Sequence, residues 1–411
     1  MSSVSLAERP PAKQQQPAAA TAILALALLL GLQPVTTDIY LPALPALRAE
    51  LGAGMGAAQL TLSALMMAFG LGQLALGPVA DRWGRRPVLL AGLALYVLAA
   101  LGGALADRIA ALITWRALQG LGLAAAVVCA RAMLRDWFEP RQGAQVMARA
   151  LTGLGLIAML SPGLGGLLAG TLGWRATLLA TALCAAATLA LIALRVPESL
   201  ARPNPQALRP GPLLRIWGQV ARHPVFIAYA LLTALAYATL YSFLAGSSFV
   251  FIGQLGLSRQ AYGLLLGTGA AVYVAGTLAC RRMLARHGLA ATVRRGAGFT
   301  LAGSLLMGGL ALAGHASLWS LLIPHCISIF GHGILQPCGQ AGAVAPFPRQ
   351  AGAAAALSGF LIALAAFAVG AWLGLVLRSG AGVLPLALSV AGCGLMTVTV
   401  AWTLVQRCRL P

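Results

Sequence analysis

Twelve apolar runs follow one another along the chain, near 20–43, 57–80, 88–106, 109–132, 145–170, 175–195, 224–251, 261–281, 293–314, 317–340, 350–378 and 381–405. Each approaches the roughly 20 residues that carry a helix across the hydrocarbon core of a bilayer. The runs are continuous rather than alternating, so the spans are helices and not barrel strands. Composition excludes a soluble fold: 60% of residues are hydrophobic, only 9% are charged, and the mean hydropathy is +0.86. A soluble domain carries about a quarter charged residues. The expected fold is therefore an all-α integral membrane protein with twelve transmembrane helices. The first run is too long for a signal-peptide core, and residues 1–19, rich in Gln and Pro, read as an uncleaved tail.

The net charge of +20 invites a nucleic-acid reading, but its distribution follows topology instead. With the N-terminus inside, the inner segments hold 22 of the Lys and Arg residues, and the outer loops hold Arg48, Arg108, Arg175, Arg259 and Arg378, one each. Such alternation is the positive-inside pattern and predicts both termini in the cytoplasm. Attraction to anionic lipid at the inner face is a secondary effect. The seven cysteines are scattered without metal-type spacing and read as small packing residues.

The longest break between runs, rich in Pro and Arg, divides the spans six and six. The expected organisation is a tail at 1–19, a six-helix bundle at 20–195, a cytoplasmic linker at 196–223, a second bundle at 224–405 and a tail at 406–411. Paired halves of this kind are the layout of many secondary transporters. The halves differ chemically, because every acid precedes residue 199. Chemistry that needs a carboxylate must live in the first half.

The chain has eight acids, and seven of them (Glu8, Glu50, Asp81, Asp107, Asp136, Glu139, Glu198) fall in tails, loops or helix ends. Asp38 alone lies well inside an apolar run, in "LLLGLQPVTTDIYLPALP" at 28–45. Three readings compete for it. It hydrogen-bonds backbone freed by Pro34 and Pro42, or it lines a cavity as a proton or cation site, or it forms a permanent salt bridge with Arg116. Burial favours the protonated acid and a nearby guanidinium favours the carboxylate, so a residue between the two can change protonation with access. Ionisable residues inside the membrane are functional candidates by default.

Between spans 2 and 3 the sequence "GQLALGPVADRWGRRPVLL" joins two helices by a very short basic loop. Gly77 is expected to permit close helix approach, Gly84 to make the turn, and Pro87 to open the next helix. In span 4, Arg116 and Gln119 share a face in "TWRALQGLG", and span 5 holds "LSPGLGGLLAG". The loop resembles the G-x-x-x-D-R-x-G-R-R signature of the major facilitator superfamily, through Gly77, Asp81, Arg82, Gly84, Arg85 and Arg86. Span 4 resembles the R-x-x-Q-G-x-G signature of its proton-coupled members. Pro162, Gly165 and Gly166 resemble the P-x-x-G-G core of the antiporter signature, although Ser161 and Ile157 stand where glycine is usual. "TDIYLPALP", "RAMLRD" and "LGWR" resemble the Bcr/CflA subgroup of bacterial drug/proton antiporters, chiefly over the first half.

The resemblance implies two pseudo-symmetric six-helix bundles around a central cavity, in the bacterial inner membrane. It implies efflux of small, mostly hydrophobic drugs in exchange for protons, chloramphenicol- or bicyclomycin-like compounds among them, by a monomer without cofactor or metal. Asp38 would carry the proton, with Arg116 and Gln119 setting its affinity. Asp81 and Arg85, with Asp136, would form a charge latch stabilising the outward-facing state. Tyr237 and Tyr241, four apart, and His325, His332 and Gln336, spaced seven and four, each mark one helix face. These faces, with Tyr40, are cavity-lining candidates, and ordinary packing competes with that reading. A proton-coupled importer of a nutrient such as a nucleoside remains the alternative. No Ser-His-Asp set, metal cluster or G-x-x-x-x-G-K-[ST] motif supports an enzyme or an ATP site.

Overall fold

The structure is a computed structural model that describes residues 17–348, 350–377 and 382–408. Glu8, Arg9, Lys13, Arg349, Arg378 and Arg409, with most of the first tail and half of the second, lie outside the described residues. Described residues form helices α1 (Ala19–Asp38), α2 (Leu44–Glu50), α3 (Met55–Trp83), α4 (Arg85–Ala104), α5 (Ile109–Trp137), α6 (Pro140–Thr171), α7 (Trp174–Arg195), α8 (Pro210–Ala221), α9 (Pro224–Phe251), α10 (Arg259–Leu312), α11 (Leu318–Val344), α12 (Ala351–Val376), α13 (Leu384–Trp402) and α14 (Leu404–Arg407). Eleven segments among them are long and apolar enough to cross a bilayer. One of these, α10, is two helices joined at Gly288, whose φ of 72° breaks the helical path. Twelve crossings result.

Two features depart from the sequence reading. The first run does not continue as one helix to residue 43: α1 stops at Asp38, and a 3-10 turn (Leu41–Ala43) leads into α2. Pro42 has no N–H to offer the Asp38 carbonyl, and the α-helical path ends there, although α1 itself runs through Pro34. The linker is also not all loop. Its second half is α8, opened by Pro210, and it packs on α12 and α9. Elsewhere the ends follow local chemistry. Gly84 (φ 101°) turns the chain between α3 and α4, and Ser317 and Ser320 cap the start of α11 reciprocally, at 3.1 and 2.8 Å. Two cysteines that look unrelated in sequence, Cys280 and Cys338, approach to 3.5 Å between sulfurs; all seven are free.

Two seams join the halves. One runs between α3 and α12, the other between α6 and α10. Small residues let backbones close to contact. A Cβ added to Gly263 would lie 2.3 Å from the Pro162 carbonyl oxygen, and one on Gly166 would lie 2.4 Å from that of Arg259. Following α6 and α10 toward the end that carries the Asp81–Arg86 loop, the gap widens, to 3.1 Å at Gly267 and 3.9 Å at Gly155. The α3–α12 seam stays closed over more of its length. It is tight at Gly370 and at Gly359 (2.2 Å from Gln73), and open at Gly77, where an added Cβ meets nothing within 4 Å. Gly77 therefore does not serve close helix approach here. Both seams close at the end away from the basic loops; toward the basic end α6 and α10 part, while α12 still meets the first half at Gly352, where an added Cβ would lie 3.4 Å from Arg135 Nη2.

Candidate functional site

The polar interior of the first half is built around Arg116. Its side chain is fully buried, and Nη1 donates to Gln119 Oε1 at 2.7 Å while Nη2 donates to the Thr36 carbonyl at 3.2 Å. The guanidinium lies 4.2 Å above the centroid of the Tyr40 ring, an attraction of about 2 kcal/mol when desolvated. Gln119 passes the network to Thr181 at 3.3 Å. The Tyr96 hydroxyl meets Thr36 Oγ1 at 2.6 Å, and Tyr40 donates to Thr61 at 2.9 Å. A buried guanidinium is costly unless such partners surround it, and no carboxylate is among them.

Asp38 stands apart from this network. Its one hydrogen bond comes from Thr37 Oγ1 at 2.7 Å, and no ion pair joins it to Arg116 among the described residues. Geometry explains the separation. Arg116 reaches the Thr36 carbonyl, and two helical residues later the side chain has turned about 200° around α1, toward the second half. There Asp38 lies within electrostatic reach of Tyr237 on α9 and Tyr262 on α10. The permanent salt bridge is thus not formed. Nor does a backbone amide among the described residues bond the carboxylate, which leaves the backbone-bonding reading without support.

Facing Asp38 is an aromatic wall from the second half. The Tyr237 and Tyr241 rings stack with centroids 6.1 Å apart, and Tyr237 and Tyr273 flank the His332 ring at 6.3 and 5.7 Å. Gln33 of α1 lies beside Tyr237 across the halves. The His325 ring stacks instead on Phe243 at 3.5 Å, beside a small space that it shares with Thr239, Thr300, Ser328 and His332. Gln33, Asp38, Tyr237, Tyr273 and Gln336 all keep partial exposure inside membrane-spanning helices. With both seams shut at the far end, we infer that this exposure belongs to a cleft between the halves that opens toward the basic end. Tyr40 belongs instead to the Arg116 network. Gln33, Tyr262 and Tyr273 were not singled out from sequence; the signal available was a polar or phenolic residue within an apolar run.

At the basic end Arg85 bridges Asp81, four residues earlier, and Asp136 at 3.3 Å. Ser199 also bonds Asp136, at 2.9 Å. Arg82 is exposed and Arg86 reaches the Ala193 carbonyl at 2.8 Å. Sequence reading passed over Glu198, whose carboxylate accepts the Arg85 and Arg86 backbone amides at 3.0 and 3.1 Å. It also accepts those of Ser199 and Leu200, at 2.8 and 2.9 Å. An acid at a helix N-terminus satisfies orphan donors and complements the dipole. Gly84 is needed beside it, since a Cβ there would sit 2.6 Å from Glu198 Oε2. In α6, Gly165 lies against the Ile39 backbone and Gly166 against Arg259, while Pro162 receives Gly263. Pro162 and Gly166 form a packing junction between the halves, Gly165 packs within the first half, and Ile157 fills the space beside Gly31.

Two helical halves, a buried polar network in one and a cleft with a single carboxylate between them define a membrane transporter of the alternating-access kind. The Major Facilitator Superfamily profile matches residues 26–371, and the chain belongs to that family. It is 30% identical over 383 residues to Multidrug resistance protein D of Escherichia coli (strain K12), covering 92% of this chain and 94% of that one. It is 30% identical over 325 residues to the Chloramphenicol resistance protein of Pseudomonas aeruginosa, covering 78% and 75%. These relatives bear out the Bcr/CflA resemblance. The xylose transporter XylE from E. coli, in a partially occluded inward open conformation, shares the fold with a TM-score of 0.72 at 14% identity, over 95% of this chain and 98% of that one.

Proposed function

We propose that the chain exports small, mostly hydrophobic drugs from the cytoplasm in exchange for protons, as a monomer in the bacterial inner membrane and without a catalytic step. The drug-resistance names of its relatives support the substrate class. The excess of arginine at one end supports placing that end, with both termini, in the cytoplasm. The two bundles, 20–195 and 224–405, rock about the cleft, with 196–223 as the tether. Asp38 is the proton carrier. One observation carries this assignment: it is the single carboxylate in the membrane interior among the described residues, partly exposed to the cleft, with one neutral hydrogen-bond donor and no cation.

The exchange follows from competition at that group. With the cleft open to the cytoplasm, Asp38 releases its proton, and the ionised carboxylate favours a substrate that donates to it or carries positive charge. Reorientation presents the pair to the outside, where a new proton takes the carboxylate and weakens the drug. Arg116 acts at one remove. Held by Gln119, Thr36 and Tyr40 on the opposite side of α1, it fixes the helix end that carries Asp38 and adds a constant positive potential. The Asp81–Arg85–Asp136 latch biases which end is open. A toxicity panel in an efflux-deficient host tests the reading. Wild type should raise tolerance to several hydrophobic drugs and Asp38→Asn should not, whereas equal protection by both would reject Asp38 as carrier.

A further inference from the structure

The wall opposite Asp38 carries buried polar atoms that the exchange chemistry does not use. His332 is 4% exposed, and its Nδ1 has no hydrogen-bond partner. A neutral imidazole has one donor and one acceptor nitrogen, and the unpartnered Nδ1 is assigned as the acceptor, with the Ala236 backbone beside the ring. Gln336, one turn further along α11, has its side-chain oxygen buried and equally unpaired, as is the Tyr241 hydroxyl on α9. A buried polar atom without a partner costs about 1–3 kcal/mol, and native proteins leave few of them without reason. Here two acceptors stand four residues apart on one helix face, beside the stacked Tyr237 and Tyr241 rings. The second half has no acidic side chain. A cation gains no charge neutralisation on this wall, and an anion finds no cationic side chain among Tyr237, Tyr241, Tyr273, His332 and Gln336.

We propose that His332 Nδ1 and Gln336 Oε1 are paired acceptors for neutral aromatic substrates bearing two adjacent hydrogen-bond donors, hydroxyl or amide N–H, with the substrate ring against Tyr237 and Tyr241. This rests on the drug-export reading above and names the chemistry its cargo shares. Donor recognition of this type discriminates strongly, because a ligand lacking the donor leaves the site's buried acceptors unpaired. The acceptors are retained at the expense of stability. Replacing them by apolar groups of similar shape should leave thermal stability unchanged or higher, the reverse of what a structural role would give.

The test uses full-length protein in lipid nanodiscs. The probes are chloramphenicol, an aromatic ring with two hydroxyls and an amide, its diacetate, in which both hydroxyl donors are capped, and the aromatic cation tetraphenylphosphonium. Wild type should bind the diol about tenfold or more tightly than the diacetate. Gln336→Leu and His332→Phe should each lose about tenfold for the diol, leave the diacetate unchanged, and keep the wild-type melting temperature or exceed it. Should His332→Phe not fold, Gln336→Leu alone decides. Variants that bind both compounds as wild type does would show that the acceptors hold only water, and would overturn the proposal. So would a cation that binds most tightly and is indifferent to both changes. Uphill efflux in vesicles separates this from the parent reading. Drugs exported without any donor preference remove only the acceptor site, whereas no exported compound at all removes the exporter.

Discussion

Gly263→Ala would drive a wedge into the seam that closes the far end of the cleft. The added methyl would sit 2.3 Å from the Pro162 oxygen and 3.2 Å from the Gly166 Cα. Both are backbone atoms inside helices and cannot rotate away. Restoring ordinary contact requires the helices to retreat by about 1 Å. Overpacking of this kind costs about 1–3 kcal/mol. When the far end opens, α6 and α10 separate and the cost vanishes, so the substitution penalises one state alone. The population should shift toward the far-end-open state by roughly 5- to 150-fold. Double electron–electron resonance between labels at positions 54 and 254, on opposite halves at that end, would read the shift in a background with its cysteines replaced. Gly392→Ala is the control, since an added Cβ there meets nothing within 4 Å, and it should leave the distances alone. A Gly263→Ala distribution identical to wild type would refute the view that this seam is a closed gate.

Three further outcomes follow from the same structure. Asp81→Asn should slow transport while leaving substrate binding largely intact, because it alters a conformational balance and touches no binding contact; loss of binding with normal exchange between states would count against the latch. Glu198→Gln should lower thermal stability by about 1–3 kcal/mol, read as a fall in the detergent melting temperature, since an amide nitrogen then faces backbone N–H groups at the start of α4. Reporter fusions at residues 82–86, 281–295 and both tails should report cytoplasmic locations, and a periplasmic signal from the 281–295 loop would break the twelve-crossing topology.

The helices were legible because lipid makes the signal simple: a run either is long and apolar or it is not. The first boundary failed where one residue overruled hydropathy, as Pro42 does in ending α1 at Asp38, whereas the break at Gly288 falls between the two runs expected there. The signatures at Asp81, Arg116 and Pro162 were visible as strings, but their partners were not. Helix periodicity places Arg116 and Gln119 on one face; it says nothing of which side of α1 they meet, and the 200° between Thr36 and Asp38 decides that Arg116 and Asp38 do not pair. Glu198 was hidden for a different reason. Its partners are backbone amides at Arg85 and Arg86, more than a hundred residues earlier, which carry no side-chain signal. Gly77 looks like a packing glycine, yet whether it packs depends on which end of the seam is closed.

The central claim is that Asp38 carries the proton, and substrate-induced proton release from purified protein tests it most directly. Asp38→Asn keeps the size and the Thr37 hydrogen bond but removes the titration. Wild-type protein in weakly buffered solution should release protons on adding substrate, and in vesicles under an imposed pH gradient it should transport uphill. Asp38→Asn should do neither while still binding neutral substrate, and Asp38→Glu should recover part of both with a shifted pH dependence. An Asp38→Asn protein that releases protons and pumps uphill at the wild-type rate would contradict the account and turn attention to His325 and His332.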